Sequence, residues 1–407
     1  MNRRSEAHLV LVALWLLMFS SSSQFFIMAP ILPEIGEQLM IPQNILGTLI
    51  TAYAFSLGFF ALVVGPISDK IGRRKILLWG SGAMALSLAL HGLAHDYITM
   101  LMVRSLTGIS GGILTGSCVA YIGDYFPAKR RGWANGMVAT GSAIGQVVGI
   151  PIGTIMVEHF GVASPFYMFS FTMAIAFGLV VVWVPQPSVQ LYRGRITVKR
   201  TLGKYLEMLR DRHMRNAALG YLLMFLSITI YVVYFPTWLE NAFSASAYEI
   251  ALLFLIGGLA TVFAGPAAGR LADVRGRKAV ILLSSAGLVL LMSLTTFLMG
   301  RDIFNAYILF FTVMLLITAR MIPFQALASE IIPDHSRGKL MCLTIAIGQL
   351  GMGIGAGLAG FSYSSFGFLG NSLIGAMAAL LMGLIVWKFL PETNNILTRK
   401  NELSSIS

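Results

Sequence analysis

Twelve apolar runs of about 20 residues, parted by short polar connections, account for most of this 407-residue sequence. A helix of about that length rises roughly 30 Å, the hydrocarbon thickness of a bilayer. The runs fall near 9–32, 46–67, 75–94, 98–124, 134–157, 164–184, 215–238, 247–268, 278–299, 304–330, 339–361 and 371–389. A transmembrane barrel would show segments of about ten residues with alternating polarity, half the length seen here. Charge is scarce: 11% of residues are Asp, Glu, Lys or Arg, against about 25% in a soluble domain. The expected fold class is an all-α membrane protein with 12 transmembrane helices.

A net charge of +12 would point to nucleic acid in a soluble chain, but its placement points to a membrane. With the N-terminus inside, 26 of the 29 Lys and Arg lie in inner segments. Arg104 and Arg320 fall within spans, which leaves Arg301 in an outer connection. This bias predicts a multi-pass protein of the bacterial inner (cytoplasmic) membrane with both termini cytoplasmic. The apolar stretch behind Arg3 and Arg4 runs to Leu32 without a small-x-small cleavage site, as in a retained first helix. The one long connection carries eight basic residues from Arg193 to Arg215. Within it Leu202, Tyr205, Leu206 and Leu209 lie opposite Lys204, Arg210 and Arg212, the pattern of an amphipathic helix on the anionic inner leaflet. A solvated linker that obeys the same charge rule is the alternative. Cys118 and Cys342 sit far apart in apolar segments as packing residues. The sequence holds no phosphate loop, metal-ligand cluster or nucleophile–base constellation, so no enzyme activity, metal or cofactor is expected.

The two halves repeat one another. Gly65, Asp69, Gly72, Arg73, Arg74 and Lys75 follow the second span, and Gly269, Asp273, Gly276, Arg277 and Lys278 follow the eighth. Asp124-Tyr-Phe-Pro127 with Arg131-Gly132 recurs as Glu330-Ile-Ile-Pro333 with Arg337-Gly338. Ala143-Ile-Gly-Gln146 recurs as Ala346-Ile-Gly-Gln349, and all three matches are offset by 203 to 206.

The Gly-x-x-x-Asp-x-x-Gly-Arg-Arg loop after the second span resembles the signature of the major facilitator superfamily, and with the repeat the resemblance covers nearly the whole chain. It implies two pseudo-symmetric six-helix bundles that rock around a midplane site. These are an N-terminal bundle over 1–185 and a C-terminal bundle over 215–392. A basic cytoplasmic linker with its amphipathic helix fills 186–214, and a cytoplasmic tail 393–407. Arg104 with Gly108 resembles the arginine–glycine motif of drug:proton antiporters, with Thr107 in place of the usual glutamine. Gly141, Gly145, Gly149 and Gly153 form a smooth helix face that resembles the antiporter signature. Its Gly149-Ile150-Pro151 step, continuing to Gly153-Thr154, is similar to the sugar-efflux branch.

Asp69 and Arg73 lie about one helical turn apart. By the resemblance, Asp69 faces the start of the eleventh helix and Arg73 pairs with Asp124, with Arg277 and Glu330 as the second-half counterpart. Together with Gly65, Gly72, Arg74, Gly269, Asp273 and Gly276 they form the expected cytoplasmic gate. A loop that only sets topology is the alternative. The resemblance also lines a cavity with the first, fourth, seventh and tenth helices. Its candidates are Gln24, Phe25, Arg104, Tyr231, Tyr234 and Arg320, with Gln146 and Gln349 adding amides. Ser20 to Ser23, Phe26, Ser227 and Trp238 lie at similar depths, and helix–helix hydrogen bonding is the alternative for such polar groups.

No acid falls at the centre of a span. Glu34, Arg104 and Asp124 are the coupling candidates, with Glu34 and Arg104 as a proton-sensitive pair or Glu34 as a solvated outer carboxylate. The six histidines cluster near helix ends, as interfacial residues do. A central arginine costs at least about 2.5–3.5 kcal/mol to insert. Arg320 therefore either grips an anionic substrate by its guanidinium fork or bonds helix carbonyls or amides such as Gln349.

The sequence thus predicts a secondary active transporter, a proton-coupled exporter (antiporter) of small organic molecules, anionic or zwitterionic. Its partners are a small-molecule substrate, the proton gradient and the lipid bilayer, with no nucleic acid, and it acts as a monomer. An importer or facilitator of organic anions or sugars, a non-transporting membrane sensor and a lipid flippase are the alternatives.

Overall fold

The computed structural model of the chain describes residues 3–189, 191, 198–300, 302–330 and 337–391. The first half holds α1 (Arg3–Phe26), α2 (Leu32–Gln38), α3 (Gln43–Leu46), α4 (Thr48–Ile71), α5 (Arg73–Ala89), α6 (Tyr97–Tyr125), α7 (Ala128–Ile144), α8 (Ile150–Phe160) and α9 (Ala163–Trp183). After α10 (Val198–Met208) come α11 (Arg212–Val232), α12 (Phe235–Phe243), α13 (Ala247–Arg275), α14 (Arg277–Leu298), α15 (Ile303–Glu330) and α16 (Arg337–Phe389). Eleven helical stretches among the described residues are long and apolar enough to span a bilayer. The last covers 48 residues, enough for two crossings at 1.5 Å per residue. The chain leaves helical geometry within it at Gly367 (φ 63°, ψ −165°), so the path makes twelve crossings.

Prolines account for most departures from the predicted spans, because each removes a donor and clashes with the preceding turn. The first span stops at Phe26, and Pro33 opens α2 after a turn. The seventh breaks before Pro236, which opens α12. In the fifth, Pro151 cannot donate to the carbonyl of Val147, and the turn Gly145–Gly149 widens to a π-helix. The sequence repeat extends into these breaks. Ile31 (φ −98°, ψ 6°) precedes α2 just as Tyr234 (φ −101°, ψ 5°) precedes α12. Met40 (φ 50°) and Ser244 (φ 53°) then carry the chain through positive φ after each short helix.

Equivalent helices pair alike in the two halves. α1 packs on α7 and α9, α4 on α6, and α5 on α6 and α9, as α11 packs on α16, α13 on α15, and α14 on α15 and α16. In lipid there is no hydrophobic drive between helices, so close contact depends on small residues and interhelical hydrogen bonds. The glycine face lies directly on α1. A Cβ at Gly141 would stand 2.6 Å from the carbonyl oxygen of Trp15, one at Gly145 2.8 Å from that of Phe19, and one at Gly149 2.4 Å from Ser23 Oγ. Gly351 repeats this on α11, its Cβ position 2.2 Å from the carbonyl oxygen of Leu222. Ser20 Oγ donates to Phe169 O (2.7 Å) and Ser227 Oγ to Gly375 O (2.8 Å), so these serines tie helices together. In the middle connection α10 forms, as its spacing predicts. Tyr205 is buried in a cluster with Met214, Tyr221 and Phe324, while residues 192–197 lie outside the described residues.

The halves meet along α4–α16 and along α8–α13. At the end that holds α3 they interlock. Tyr234 Oη donates to Gln43 O (2.5 Å) and accepts from the Gly47 amide (3.2 Å), and Thr51 Oγ1 donates to Gly353 O (2.7 Å). One apolar cluster there joins Met28, Ile31 and Leu46 to Ile230, Val233, Ala356 and Ala359 of the other half. At the opposite, charged end, Gly132 and Gly136 on α7 and Gly265 and Gly269 on α13 face open space. The halves interlock at the α3 end; toward the charged end α7 and α13 show no such close approach among the described residues, although α4 still meets α16 there, with Gly65 beside Cys342.

Adding a methyl where two backbones touch should force them apart, at a cost of about 1–3 kcal/mol. Gly351→Ala should therefore lower the thermal unfolding midpoint in detergent, whereas Gly265→Ala, in open space, should leave it unchanged or raise it slightly. Equal midpoints for the two variants would show that the α11–α16 contact tolerates a side chain.

Candidate functional site

Two glycines shape the charged end. Gly72 (φ 106°, ψ 140°) joins α4 to α5 and Gly276 (φ 90°, ψ 140°) joins α13 to α14. A side chain is strained at such positive φ, which is why glycine recurs in both loops. Each turn places an arginine at the head of the next helix. Arg73 Nη2 lies 2.5 Å from Asp69 Oδ1, and its Nε donates to Asp124 Oδ2 at 2.7 Å. Arg277 pairs with Glu330.

The rest of the expected gate is less symmetric. Asp273 is exposed and makes no ion pair among the described residues, whereas Asp69 is held by Arg73. Arg74 turns away, its Nη2 donating to Val181 O (2.7 Å) and its amide to Gln186 Oε1 (3.1 Å). Gly65 lies beside α16, where a Cβ would stand 3.9 Å from Cys342 Sγ, while Gly269 faces open space. The ion pairs of Arg73 and Arg277 each stay within one half. The second-half residues 331–336, with Pro333, and the side chains of Arg337 and the first turn of α16 lie outside what is described.

A second cluster forms where α1, α4 and α6 converge. Arg104 is 0% exposed, and its guanidinium carbon lies 4.7 Å from the centroid of the Tyr53 ring. Its Nη1 donates to Gln24 Oε1 (3.1 Å). Gln24 Nε2 in turn donates to Tyr53 Oη and to Ser21 O, both at 3.1 Å. Phe25 packs on the Tyr53 ring at 5.2 Å. Gly108 permits the approach, because a Cβ there would stand 2.3 Å from the carbonyl oxygen of Tyr53. Nε and Nη2 of Arg104 have no hydrogen-bond partner. Tyr53 was not among the sequence candidates, since a tyrosine inside an apolar run looks like any packing aromatic.

The expected pair of Glu34 and Arg104 does not form. The break after Phe26 carries Glu34 onto α2, away from Arg104 and into acidic company. Burial, and then the charges of Glu240, Glu37 and Glu158, push its carboxyl up from 4.5 to about 7, against the opposing pull of its own backbone amide. Its Oε2 is buried without a hydrogen-bond partner.

The remaining cavity candidates scatter. Arg320 is 0% exposed and donates from Nη2 to Met224 O at 3.4 Å, with no bond to Gln349. Gln349 instead faces α4, its Cβ 3.1 Å from where a Cβ of Gly58 would lie, with Oε1 buried and unpartnered. Gln146 is half-buried on the π turn that meets α13. Tyr231 lies in the second-half core, its hydroxyl 3.0 Å from Thr295 Oγ1, and Tyr234 seals the α3 end. His91 is buried rather than interfacial: its ring stacks on Phe166 at 4.0 Å and Nδ1 lies 2.9 Å from Ser87 O. Among the described residues no group of His, Cys, Asp and Glu could hold a metal ion.

The raised pKa of Glu34 has a measurable consequence. A carboxyl whose folded-state pKa exceeds its unfolded value lends stability that is full below about 4.5 and is lost as the pH rises through about 7. Thermal midpoints should fall across that window, and Glu34→Gln should flatten the slope. Identical slopes for wild type and variant would exclude Glu34 as the titrating group.

Comparison with known proteins fits this geometry. Residues 14–238 and 217–405 match the profile of the Major Facilitator Superfamily. The chain is 25% identical over 365 residues to the uncharacterized MFS-type transporter YceJ of Bacillus subtilis, covering 86% of this chain and 89% of that protein. It is 25% identical over 287 residues to the multidrug resistance protein MdtG of Proteus mirabilis, covering 67% and 69% respectively. The crystal structure of a D-xylose–proton symporter superposes with a TM-score of 0.76 at 17% identity, over 96% of this chain and 99% of that one, and so shares its fold. With twelve membrane crossings, a repeated arginine–acid cluster and a match along nearly its whole length, the chain belongs to the Major Facilitator Superfamily and is a membrane transporter, not an enzyme.

Proposed function

We propose that this protein is a proton-coupled exporter that carries small organic anions or zwitterions across the bacterial inner membrane by alternating access. The observation that carries this is a molecule interlocked at its α3 end that buries two guanidiniums, Arg104 and Arg320, with no carboxylate paired to either among the described residues. In low dielectric, uncompensated positive charge attracts an anion and repels a lipophilic cation. The excess of basic residues at the charged end supports its being cytoplasmic, which makes the α3 seal the outer one. The Arg73 and Arg277 clusters then flank the inner mouth as its gate. The relatives named multidrug resistance protein support export over import.

Glu34 suits the proton's entry. It lies at the sealed outer end and titrates near neutral pH. While that end is open its carboxyl takes a proton from outside, and the neutral form is the one the closed seal, rich in Glu37, Glu158 and Glu240, accommodates. The coupling cycle is complete when that proton leaves toward the inside before the seal reopens.

Two expected outcomes test this. In proteoliposomes under a proton gradient, organic anions and zwitterions should compete for transport ahead of tetraphenylphosphonium, and Arg320→Ala should weaken them; tight tetraphenylphosphonium binding unchanged by Arg320→Ala would refute the anion preference. At the gate, Asp69→Asn or Arg73→Ala should insert normally yet cut transport at least about tenfold, a larger loss than Asp273→Asn, because Asp273 lacks an ion-pair partner among the described residues. Wild-type rates in a well-inserted Asp69→Asn protein would remove the gate role.

A further inference from the structure

We infer, resting on the anion-transport reading above, that Arg104 is the residue that grips the substrate and that what it grips is a planar carboxylate, whereas Arg320 supplies charge and ties two helices. A guanidinium offers a carboxylate two forks of parallel N–H groups: the side-on edge, Nε with Nη2, and the end-on edge, Nη1 with Nη2. In Arg104 the nitrogen already taken is Nη1, by Gln24, and the two left without partners are Nε and Nη2, neighbours on the side-on edge. In Arg320 the nitrogen taken is Nη2, by the carbonyl of Met224, and the two left over are Nε and Nη1. Nη2 carries two N–H groups, one on each fork, so that single bond leaves Arg320 one fork, while the side-on fork of Arg104 is whole. Two arginines equally buried and equally without a carboxylate differ instead in what holds them: Arg104 has an aromatic face and a side-chain acceptor, Arg320 a main-chain carbonyl at 3.4 Å.

The surroundings of Arg104 hold its free edge in place. The Tyr53 ring lies against the guanidinium, and the amide of Gln24 is oriented by two bonds from its own Nε2, which turns its oxygen toward Nη1. An arginine positioned by an aromatic face and a fixed acceptor loses little rotamer freedom when a ligand arrives. Two charged donors without partners in a 0% exposed side chain carry a standing desolvation cost. An occupant that relieves it must be anionic, accept hydrogen bonds without donating, and present two coplanar oxygens. A carboxylate meets all three conditions and a halide ion fails the last.

The test uses the purified full-length protein at low ionic strength. The probes are benzoate, its neutral isostere benzamide, and chloride, read as shifts of the thermal midpoint and converted to apparent Kd. Benzoate should stabilise the wild type where benzamide and chloride do not. Arg104→Lys should weaken benzoate tenfold or more, and Arg320→Lys, which keeps the charge and surrenders only the fork, no more than two-fold. Gln24→Glu should place a carboxylate against Arg104 from within the chain, raising the ligand-free midpoint and abolishing the benzoate shift even if Arg104→Lys folds poorly. Benzamide matching benzoate on the wild type would overturn the anion reading and this assignment together. A benzoate preference that survives Gln24→Glu, or is lost in Arg320→Lys and kept in Arg104→Lys, would overturn this assignment alone. Chloride as effective as benzoate would overturn the carboxylate specificity.

Discussion

Close backbone contact through glycine is the constraint on which the rest of this structure depends. Lipid solvates an apolar helix face as well as another helix does, so burial alone cannot hold twelve helices in register. Where Gly141, Gly145 and Gly149 meet α1, and Gly351 meets α11, the absence of a side chain brings main-chain atoms within van der Waals and hydrogen-bond range. Ser23 uses that proximity, its hydroxyl reaching Gly145 O at 3.3 Å. The same device recurs between the halves, where a Cβ on Gly47 would stand 1.9 Å from Ala356 O. A seal built from such contacts has two states, touching or apart, which is what a rocking carrier needs.

The second organising principle is where charge is tolerated. At the charged end the carboxylates of Asp124 and Glu330, which close the pairs α5–α6 and α14–α15, meet the arginines that open the same pairs, partly exposed to water, where an ion pair costs less than in the interior. Deep in the bundle the solution differs: Arg104 and Arg320 are satisfied partly by neutral oxygens and keep their full charge uncompensated. Partial satisfaction of a buried charge is costly if it serves only packing. On the anion-transport proposal, the missing partner is the cargo.

Much of the fold was legible because its causes are local. Apolar runs measure the bilayer, prolines mark the breaks, and the offset of 203 to 206 residues between halves shows up as matching letters. Gly72 and Gly276 were recognisable from the repeat, and their positive φ supplies the reason. The site was legible only in pieces. Gln24, Phe25 and Arg104 were each singled out by polarity or depth, but Tyr53 carries no sequence signal to distinguish it from a packing aromatic. Tyr231 and Tyr234 were cavity candidates themselves, yet one faces α14 and the other crosses to Gln43.

By itself the sequence determined the number of crossings, the pseudo-symmetry and the arginine–acid motif at the charged end, since each follows from chain-local properties: span length, helix-breaking residues and the spacing of charges. Away from that motif, the tertiary structure alone decided which charges meet. A helix break carries Glu34 toward Glu240 of the other half and Glu37 and Glu158 of its own, and α6 pressed on α4 through Gly108 delivers Arg104 to Gln24 and Tyr53. Nor can any sequence say which nitrogen of an arginine is already taken. That depends on the three-dimensional approach of a carbonyl from a helix 96 positions away for Arg320, and of an amide 80 positions away for Arg104.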